Sequence, residues 1–200
     1  YKSFINKIWN ASNFLQINKC FLNENFDYKL VKLPINQWII NELIFTKNQI
    51  DKNIQNYHFH EYANNLYHFV WHSFCDWYIE FSKTLINSDE ESSHETKNVS
   101  MWVFKEILKF SHPIIPFITE KLFLKLFNSK SYLINEIFKQ NSIINKYVNS
   151  QNNFHHLIQI ISSVRNLRSE LNISYKNKIN LNINNDNDKF ISFLNSSKNE

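Results

Sequence analysis

The chain has 200 residues, 43% of them hydrophobic, and a formal net charge of +4, so it can bury the core of one or two globular domains. It contains no glycine, which argues against the glycine-rich loops that cradle phosphates in Rossmann and P-loop sites. Its mild basicity permits contact with nucleic acid without requiring it. No apolar run approaches the roughly 20 residues of a membrane helix. The two cysteines, Cys20 and Cys75, are far apart and indicate a reducing, cytoplasmic setting.

The beginning of the chain is predicted to be helical. Residues 3–18 carry an apolar stripe, and Asn6, Asn10 and Asn13 follow steps of four and three on another face. After an irregular polar connection, Pro34 suits the first turn of a second, long helix.

Three further helices are predicted in the first two thirds of the chain. The third covers about residues 61–83, and its expected inner face consists of Tyr62, Leu66, Phe69, Val70, Ser73, Trp77 and Phe81. A charged, serine-rich loop is expected over residues 88–95. A fourth helix then runs from about Thr96 until Pro113 stops it, and a fifth runs from Pro116 to about Phe127.

The remaining residues have a different pattern. Residues 132–138 fit a short strand, residues 154–171 an amphipathic helix, and a last helix is expected near Phe190. Ile179, Leu181 and Ile183 alternate with polar residues, which predicts a strand with one wet face. We therefore predict a mainly α fold, with a helical bundle over residues 1–128 and a small mixed α/β subdomain over residues 129–200.

The polar face of the first helix is the first candidate site. Its amides and the ammonium groups of Lys7 and Lys19 suit an RNA loop, and Trp9 and Trp38 are flat groups on which unstacked bases could stack. The more common outcome for such a composition is a solvated helix face with two packing tryptophans.

A second candidate is the run His60, His68, His72, Asp76 and Glu80. Steps of four from His68 onwards place these side chains on one helical face, where a metal site or a carboxylate acid–base pair is conceivable. Glu61, Glu80 and Glu106 are followed three residues later by Asn64, Lys83 and Lys109, however, and not by the histidine that the Glu-x-x-His element of di-metal bundles requires. We expect no metal, no catalytic residue and a polar seam in which Asp76 and Glu80 pair with lysines or backbone donors. Cys75, between aromatic residues, is expected to pack as an inert apolar group.

Arg165 and Arg168 are the only arginines, and they form a third candidate. Their guanidinium groups could bind an RNA backbone in a bidentate manner, or they could form surface ion pairs with Glu170. The residues alone leave both alternatives open.

Four segments resemble, in order and spacing, the anticodon-binding bundle of class I aminoacyl-tRNA synthetases, most closely the valyl-tRNA synthetases. These segments are residues 6–12 (NKIWNAS), 74–80 (FCDWYIE), 112–120 (HPIIPFITE) and 164–173 (VRNLRSELNI). The chain departs from the family at Asn13, where an arginine is usual, and at residues 36–38, where only the aromatic Trp38 is kept.

The resemblance implies a module whose parent enzyme joins valine to its tRNA in the cytoplasm, using ATP and magnesium in a separate catalytic domain. The HIGH and KMSKS motifs of that domain are absent here, so we expect these residues to be inactive alone and to need no cofactor. The expected partners are valine tRNAs and the parent catalytic domain, without membrane or DNA. The residues predicted to contact tRNA are Lys7, Trp9, Asn10, Asn13, Lys19, Trp38, Arg165 and Arg168.

Two alternatives remain open at this point. One is a stand-alone tRNA-binding module derived from a synthetase, and the other is a structural bundle without an RNA role. Because the chain opens on Tyr1 within a helical pattern, we expect it to be a piece of a longer protein.

Overall fold

The computed structural model describes residues 2–128, 131–135, 148–174 and 176–180. The chain divides into two compact units, Tyr1–Tyr147 and Val148–Glu200. The predicted division at residue 128 stays a prediction. The helical elements in chain order are α1 (Lys2–Ile17), a 3-10 turn (Tyr28–Leu30), α2 (Pro34–Gln55), α3 (Phe59–His68), a π-helical segment (Phe69–Tyr78), α4 (Ile79–Ile86), α5 (Glu90–Ser111), α6 (Pro116–Phe127), a 3-10 turn (Leu133–Asn135) and α7 (Val148–Glu170).

α1 begins and ends close to its predicted limits, and α2 begins at the predicted proline and is long. α1 turns Ile8 and Leu15 into the core, as its apolar stripe indicates. α2 begins with Pro34 in its first turn, where the missing N–H has no helical acceptor in any case. Between them, Asp27 caps the short 3-10 turn by accepting a hydrogen bond from the Lys29 N–H.

The third predicted helix is continuous from Phe59 to Ile86, but its middle ten residues are π-helical. At its end the Ile79 N–H donates to the Phe74 carbonyl, five residues earlier. The predicted inner face is correct as far as Val70 and wrong beyond it. Phe74, Cys75, Tyr78, Ile79 and Ser82 are buried, whereas the predicted residues Ser73, Trp77 and Phe81 are only half-buried. Counting in threes and fours assumes about 3.6 residues per turn, and the wider π turn shifts the buried face by one residue.

The predicted loop over residues 88–95 is wrong for most of its length, because α5 begins at Glu90. The Asp89 carboxylate caps the helix by accepting the Ser92 N–H at 2.8 Å, and Glu90 and Glu91 favour the positive end of the helix dipole. The serine-rich, charged composition therefore marks a helix start. α5 ends at Ser111, close before Pro113 as expected.

α6 also has its predicted limits, starting at Pro116 and ending at Phe127. The short strand predicted over residues 132–138 is not formed at Leu133–Asn135, which make a 3-10 turn. The cause is a tertiary contact, since both carboxylate oxygens of Glu120 accept the Leu133 N–H, at 2.9 and 3.2 Å. Residues 136–138 lie outside the described residues.

The second unit is described through α7 and the turn that follows it. α7 starts at Val148, earlier than predicted, and ends at Glu170. Ile179 is not in a strand, and the rest of the predicted strand and the helix near Phe190 lie outside the described ranges. The parts of the chain that are described are mainly α-helical, as predicted, and contain no strand, so the small α/β subdomain is not seen in them.

A polar network crosses the aromatic core of the first unit. The Tyr78 hydroxyl donates to Asn36 Oδ1 at 2.8 Å and lies 3.2 Å from Ser100 Oγ. The Asn36 amide donates to Glu95 and Thr96. All buried members thus have partners, and the network joins α2, the π-helical segment and α5 in one arrangement. No helix among the described residues is long and apolar enough to cross a membrane.

Candidate nucleic-acid interface

The outer face of α1 carries three asparagines, Asn6, Asn10 and Asn13, which we call the asparagine row. Asn6 and Asn10 are exposed and Asn13 is half-buried, on the side of α1 opposite the core residue Ile8. The apolar stripe of α1 faces the bundle, so the amides necessarily point away from it. Amide side chains both donate and accept hydrogen bonds, which lets them contact the edges of unpaired bases.

Lys7 borders the asparagine row on one side. One residue of α-helix turns by about 100°, so Lys7 lies beside Asn6 and towards the π-helical segment. Its ammonium is 2.6 Å from Asp76 Oδ1 and 4.9 Å from the centre of the Trp71 ring. The side chains of Lys7 and Asp76 are 29% and 36% exposed, so this border remains open to a ligand.

Trp9 borders the row on the other side, towards α6. The ammonium groups of Lys121 and Lys125 lie 5.8 and 5.3 Å from the centre of its ring. Both lysines are exposed and Trp9 is half-buried. A row of amides is therefore flanked on each side by lysine and tryptophan, which is a combination suited to RNA phosphates and bases. Sequence reasoning missed Lys121 and Lys125, because only the packing of α6 against α1 brings them to Trp9.

Lys19 lies just beyond α1 and is exposed. Its backbone is left-handed, with φ of 52°. The Cys20 N–H donates to the Leu15 carbonyl at 2.9 Å, and the Lys19 N–H donates to Gln16, so the two bonds close α1 in a Schellman motif. Lys19 thus takes the position that glycine usually occupies, in a chain that contains no glycine.

Trp38 does not belong to this surface. It is only 1% exposed and is among the largest fully buried side chains of the bundle. An RNA base cannot stack on its rings, so the expectation that Trp38 is a stacking platform is wrong in this structure. Its position follows from α2, whose neighbouring residues Ile35, Ile39 and Ile40 are buried too.

Arg165 and Arg168 belong to the second unit. The Arg168 guanidinium donates to the backbone carbonyls of Ser174 and Asn177, both at 2.9 Å, and so holds the chain that follows α7. Arg168 is therefore used in local structure in addition to any role with RNA. Arg165 is exposed on α7.

The histidine and carboxylate run has a structural role in the described residues. Asp76 pairs with Lys7 and lies 3.2 Å from His72 Nδ1, and Glu80 pairs with Lys83 at 2.7 Å. The expectation that both carboxylates pair with lysines is confirmed. Among the described residues, no three His, Cys, Asp or Glu side chains converge on a point that could hold a metal ion.

Cys75 has no character of a nucleophile. The side chain is buried, and this burial raises the pKa of its thiol to about 12, although nearby Lys7 acts in the opposite direction. The thiolate is the reactive form of cysteine, so this thiol is inert near neutral pH. The expected apolar packing of Cys75 is confirmed by its burial.

The sequence matches a known family over most of its length. Residues 36–183 match the family model described as the anticodon-binding domain of tRNA ligase. The valine–tRNA ligase of Pelagibacter ubique (strain HTCC1062) is 41% identical over 192 residues, which are 92% of this chain and 21% of the relative. The enzyme of the same name from Zymomonas mobilis is 38% identical over 177 residues, 86% of this chain and 20% of the relative.

A third relative, the valine–tRNA ligase of Lactobacillus johnsonii, is 37% identical over 196 residues, 93% of this chain and 22% of the relative. The chain therefore spans about a fifth of the length of these curated relatives. The helical bundle, the order of its motifs and the family match agree with one another. The chain belongs to the family of anticodon-binding domains of tRNA ligases.

Proposed function

We propose that this chain is the tRNA anticodon-binding portion of a valine–tRNA ligase. The observation that carries the proposal is the asparagine row of α1, flanked by Lys7 and Trp71 on one side and by Trp9 on the other. The valine–tRNA ligases similar to this chain support valine as the amino acid. The parent enzyme would attach valine with ATP and magnesium in the cytoplasm, and these residues would contribute binding only.

The dimensions of the asparagine row suit a short stretch of unpaired nucleotides. Asn6 and Asn13 are seven positions apart on the helix, which corresponds to about 10 Å along its axis. Three stacked bases occupy about the same length at roughly 3.4 Å each. We propose that the amides contact base edges of the anticodon, while Lys7 and Lys121 bind phosphates and set the register.

In this mechanism the bundle contributes by positioning the tRNA. It holds the anticodon stem-loop so that the distant acceptor end of the tRNA reaches the catalytic domain of the parent. Contacts to phosphates support any tRNA, whereas contacts to bases distinguish the valine anticodon from others. Changes at the two kinds of residue should therefore have different consequences.

The test measures binding of valine tRNA and of the same tRNA with an altered anticodon to the full polypeptide that contains this chain. For Asn10→Ala we expect affinity for valine tRNA to fall about five- to tenfold, because one hydrogen bond contributes about 1 kcal/mol. Affinity for the altered tRNA should change little. Lys121→Ala should weaken the binding of both tRNAs to the same extent and should make their binding less sensitive to salt.

Asn48→Ala serves as the matched control, since Asn48 is an exposed asparagine of α2. Equal losses for both tRNAs in Asn10→Ala would refute base reading by the row. Binding of tRNA by a full polypeptide that cannot attach valine would indicate a stand-alone module. A polypeptide that binds no tRNA at all would leave a structural bundle as its role.

A further inference from the structure

The π-helical segment Phe69–Tyr78 is the least usual feature of the backbone. π-helical geometry is rare and commonly limited to a single turn inside an α-helix, often at a functional site. Here it extends over ten residues between α3 and α4. The segment borders α1 beside the asparagine row, through Lys7.

Two residues of this segment, Trp71 and Asp76, contact the same ammonium group. Lys7 Nζ lies 4.9 Å from the centre of the Trp71 ring and 2.6 Å from Asp76 Oδ1. In an α-helix two residues five positions apart point about 140° away from each other. The i→i+5 hydrogen bonding of a π-helix brings such residues close to the same face. The unusual backbone is therefore what allows both groups to reach Lys7.

Both partners of Lys7 are themselves held in place. The Trp71 ring stacks on Tyr67, with ring centres 5.4 Å apart and an angle of 24° between the planes. Tyr67 packs in turn against Phe4 of α1, at 5.5 Å. The second oxygen of Asp76 lies 3.2 Å from His72 Nδ1. The ring and the carboxylate that contact the ammonium thus each have a further contact that favours their observed positions.

We propose that Trp71 and Asp76 are positioning residues that hold the Lys7 ammonium at the border of the asparagine row for an RNA phosphate. The inference rests on the proposed function and assigns a purpose to the π-helical segment. A free lysine loses much rotamer freedom when it binds a ligand, whereas a lysine already held in place loses less. An ammonium has three N–H donors, so the bond to Asp76 leaves donors for a phosphate.

The direction in which one substitution changes tRNA affinity distinguishes this positioning role from simple charge repulsion. Asp76→Asn removes a negative charge next to the RNA site, and Coulomb repulsion alone would then predict tighter tRNA binding. Loss of the positioned lysine predicts weaker binding instead. We expect the affinity of the full polypeptide for valine tRNA to fall about five- to tenfold in Asp76→Asn. The slope of log affinity against log salt concentration should become shallower by about one unit, which corresponds to the loss of one phosphate contact.

Glu80→Gln is the matched control. Glu80 lies four residues further along the same helix and is exposed, and its partner Lys83 is on the same helix. Its substitution should leave tRNA affinity unchanged or slightly raised. A second substitution, Trp71→Phe, keeps an aromatic face for the ammonium and should retain affinity to within about threefold, because the cation–π contribution is smaller but preserved.

The double substitution Lys7→Ala with Asp76→Asn completes the test. If Asp76 acts through Lys7, the double variant binds as Lys7→Ala does, since the two losses are not additive. Fully additive losses, or tighter binding by Asp76→Asn alone, would overturn the inference. A Lys7→Ala variant with unchanged tRNA binding would remove Lys7 from the interface, and unchanged binding by Asn10→Ala as well would refute the proposed function itself.

Discussion

Glu95 lies on α5 but completes the beginning of α2. Its carboxylate accepts hydrogen bonds from the backbone N–H groups of Lys32 and Leu33, at 2.8 and 2.9 Å, and from the Asn36 amide at 3.0 Å. The first N–H groups at a helix start have no partner within the helix, and α2 has no capping side chain of its own at Leu33. Glu95, 62 positions from Leu33, therefore accepts the N–H of the N-cap residue, as the third helical residue does in a local capping box.

Glu95→Ala should lower the free energy of unfolding by about 1–3 kcal/mol, because three donors lose their acceptor. Glu95→Gln keeps one acceptor oxygen and should lower the free energy of unfolding by less than Glu95→Ala does. Urea denaturation followed by circular dichroism measures both. Glu91→Ala is the control, since its ion pair with Lys32 is 77–79% exposed, and its loss together with that of a first-turn charge of α5 should lower the free energy of unfolding by less than about 1 kcal/mol. A Glu95→Ala variant as stable as the control would show that the capping bonds do not matter.

At the scale of whole elements, the helices end without glycine. Lys19 after α1, Tyr57 after α2 and Asn172 after α7 have φ of 52°, 59° and 52°. Left-handed conformations are unfavourable for residues with a Cβ by roughly 1–2 kcal/mol. Asparagine tolerates them better than lysine or tyrosine, so two of these helix ends carry avoidable strain.

Tyr57→Gly should therefore raise the free energy of unfolding by about 1 kcal/mol. The Tyr57 N–H donates to Ile54, and the His58 N–H donates to the Asn53 carbonyl at 2.8 Å, so both bonds of the helix end persist without the side chain. Thermal and urea unfolding provide the measurement. Asn48→Gly, inside α2, should instead lower the free energy of unfolding by about 0.3 kcal/mol, the difference between asparagine and glycine in a helix interior. Loss of stability in Tyr57→Gly would mean that the exposed ring contributes more than the backbone strain costs.

The register of the π-helical segment can be tested in the same way. Phe74 is fully buried, whereas Trp77, which a regular helix count places inside, is half-buried. We expect Phe74→Ala to lower the free energy of unfolding by about 3–5 kcal/mol. Trp77→Ala should lower it clearly less, although tryptophan is the larger side chain. Equal or reversed costs, measured by urea unfolding, would contradict the π-helical register.

At the scale of the whole molecule, stability should depend on alkaline pH. Burial raises the pKa of Cys20, Cys75 and Tyr62 to about 12, from ordinary values of 9.0 for the thiols and 10.0 for the phenol. Above pH 9 the unfolded chain loses these protons while the folded chain keeps them. The unfolded state then binds fewer protons, so the free energy of unfolding falls as pH rises.

We therefore expect the free energy of unfolding to decrease steadily between about pH 9 and pH 12, as measured by urea denaturation at a series of pH values. Cys20→Ala removes one of the three groups and should make this decrease shallower. An unchanged slope in that variant would mean that the Cys20 thiol does not ionise differently in the two states.

The asparagine row and the helix limits show which features of the structure can be predicted from residues that are close together in the sequence. Pro34 and Pro116 mark helix starts correctly, because a proline acts on the backbone at its own position. The amide face of α1 is visible from its spacing, since one face of that helix must be apolar. The start of α5 was missed because Asp89, its cap, belongs to a segment whose composition also suits a loop.

The sequence by itself determined that the chain is a mainly helical bundle, where most of its helices lie, and that its motifs match a synthetase family. These features depend on residues close together in the chain. Only the tertiary structure decided that Trp38 is buried, that Lys121 and Lys125 reach Trp9, and that Lys7 meets Asp76, which is 69 residues away. Such contacts depend on how whole helices pack and on the π-helical turn, and neither is encoded in a local period.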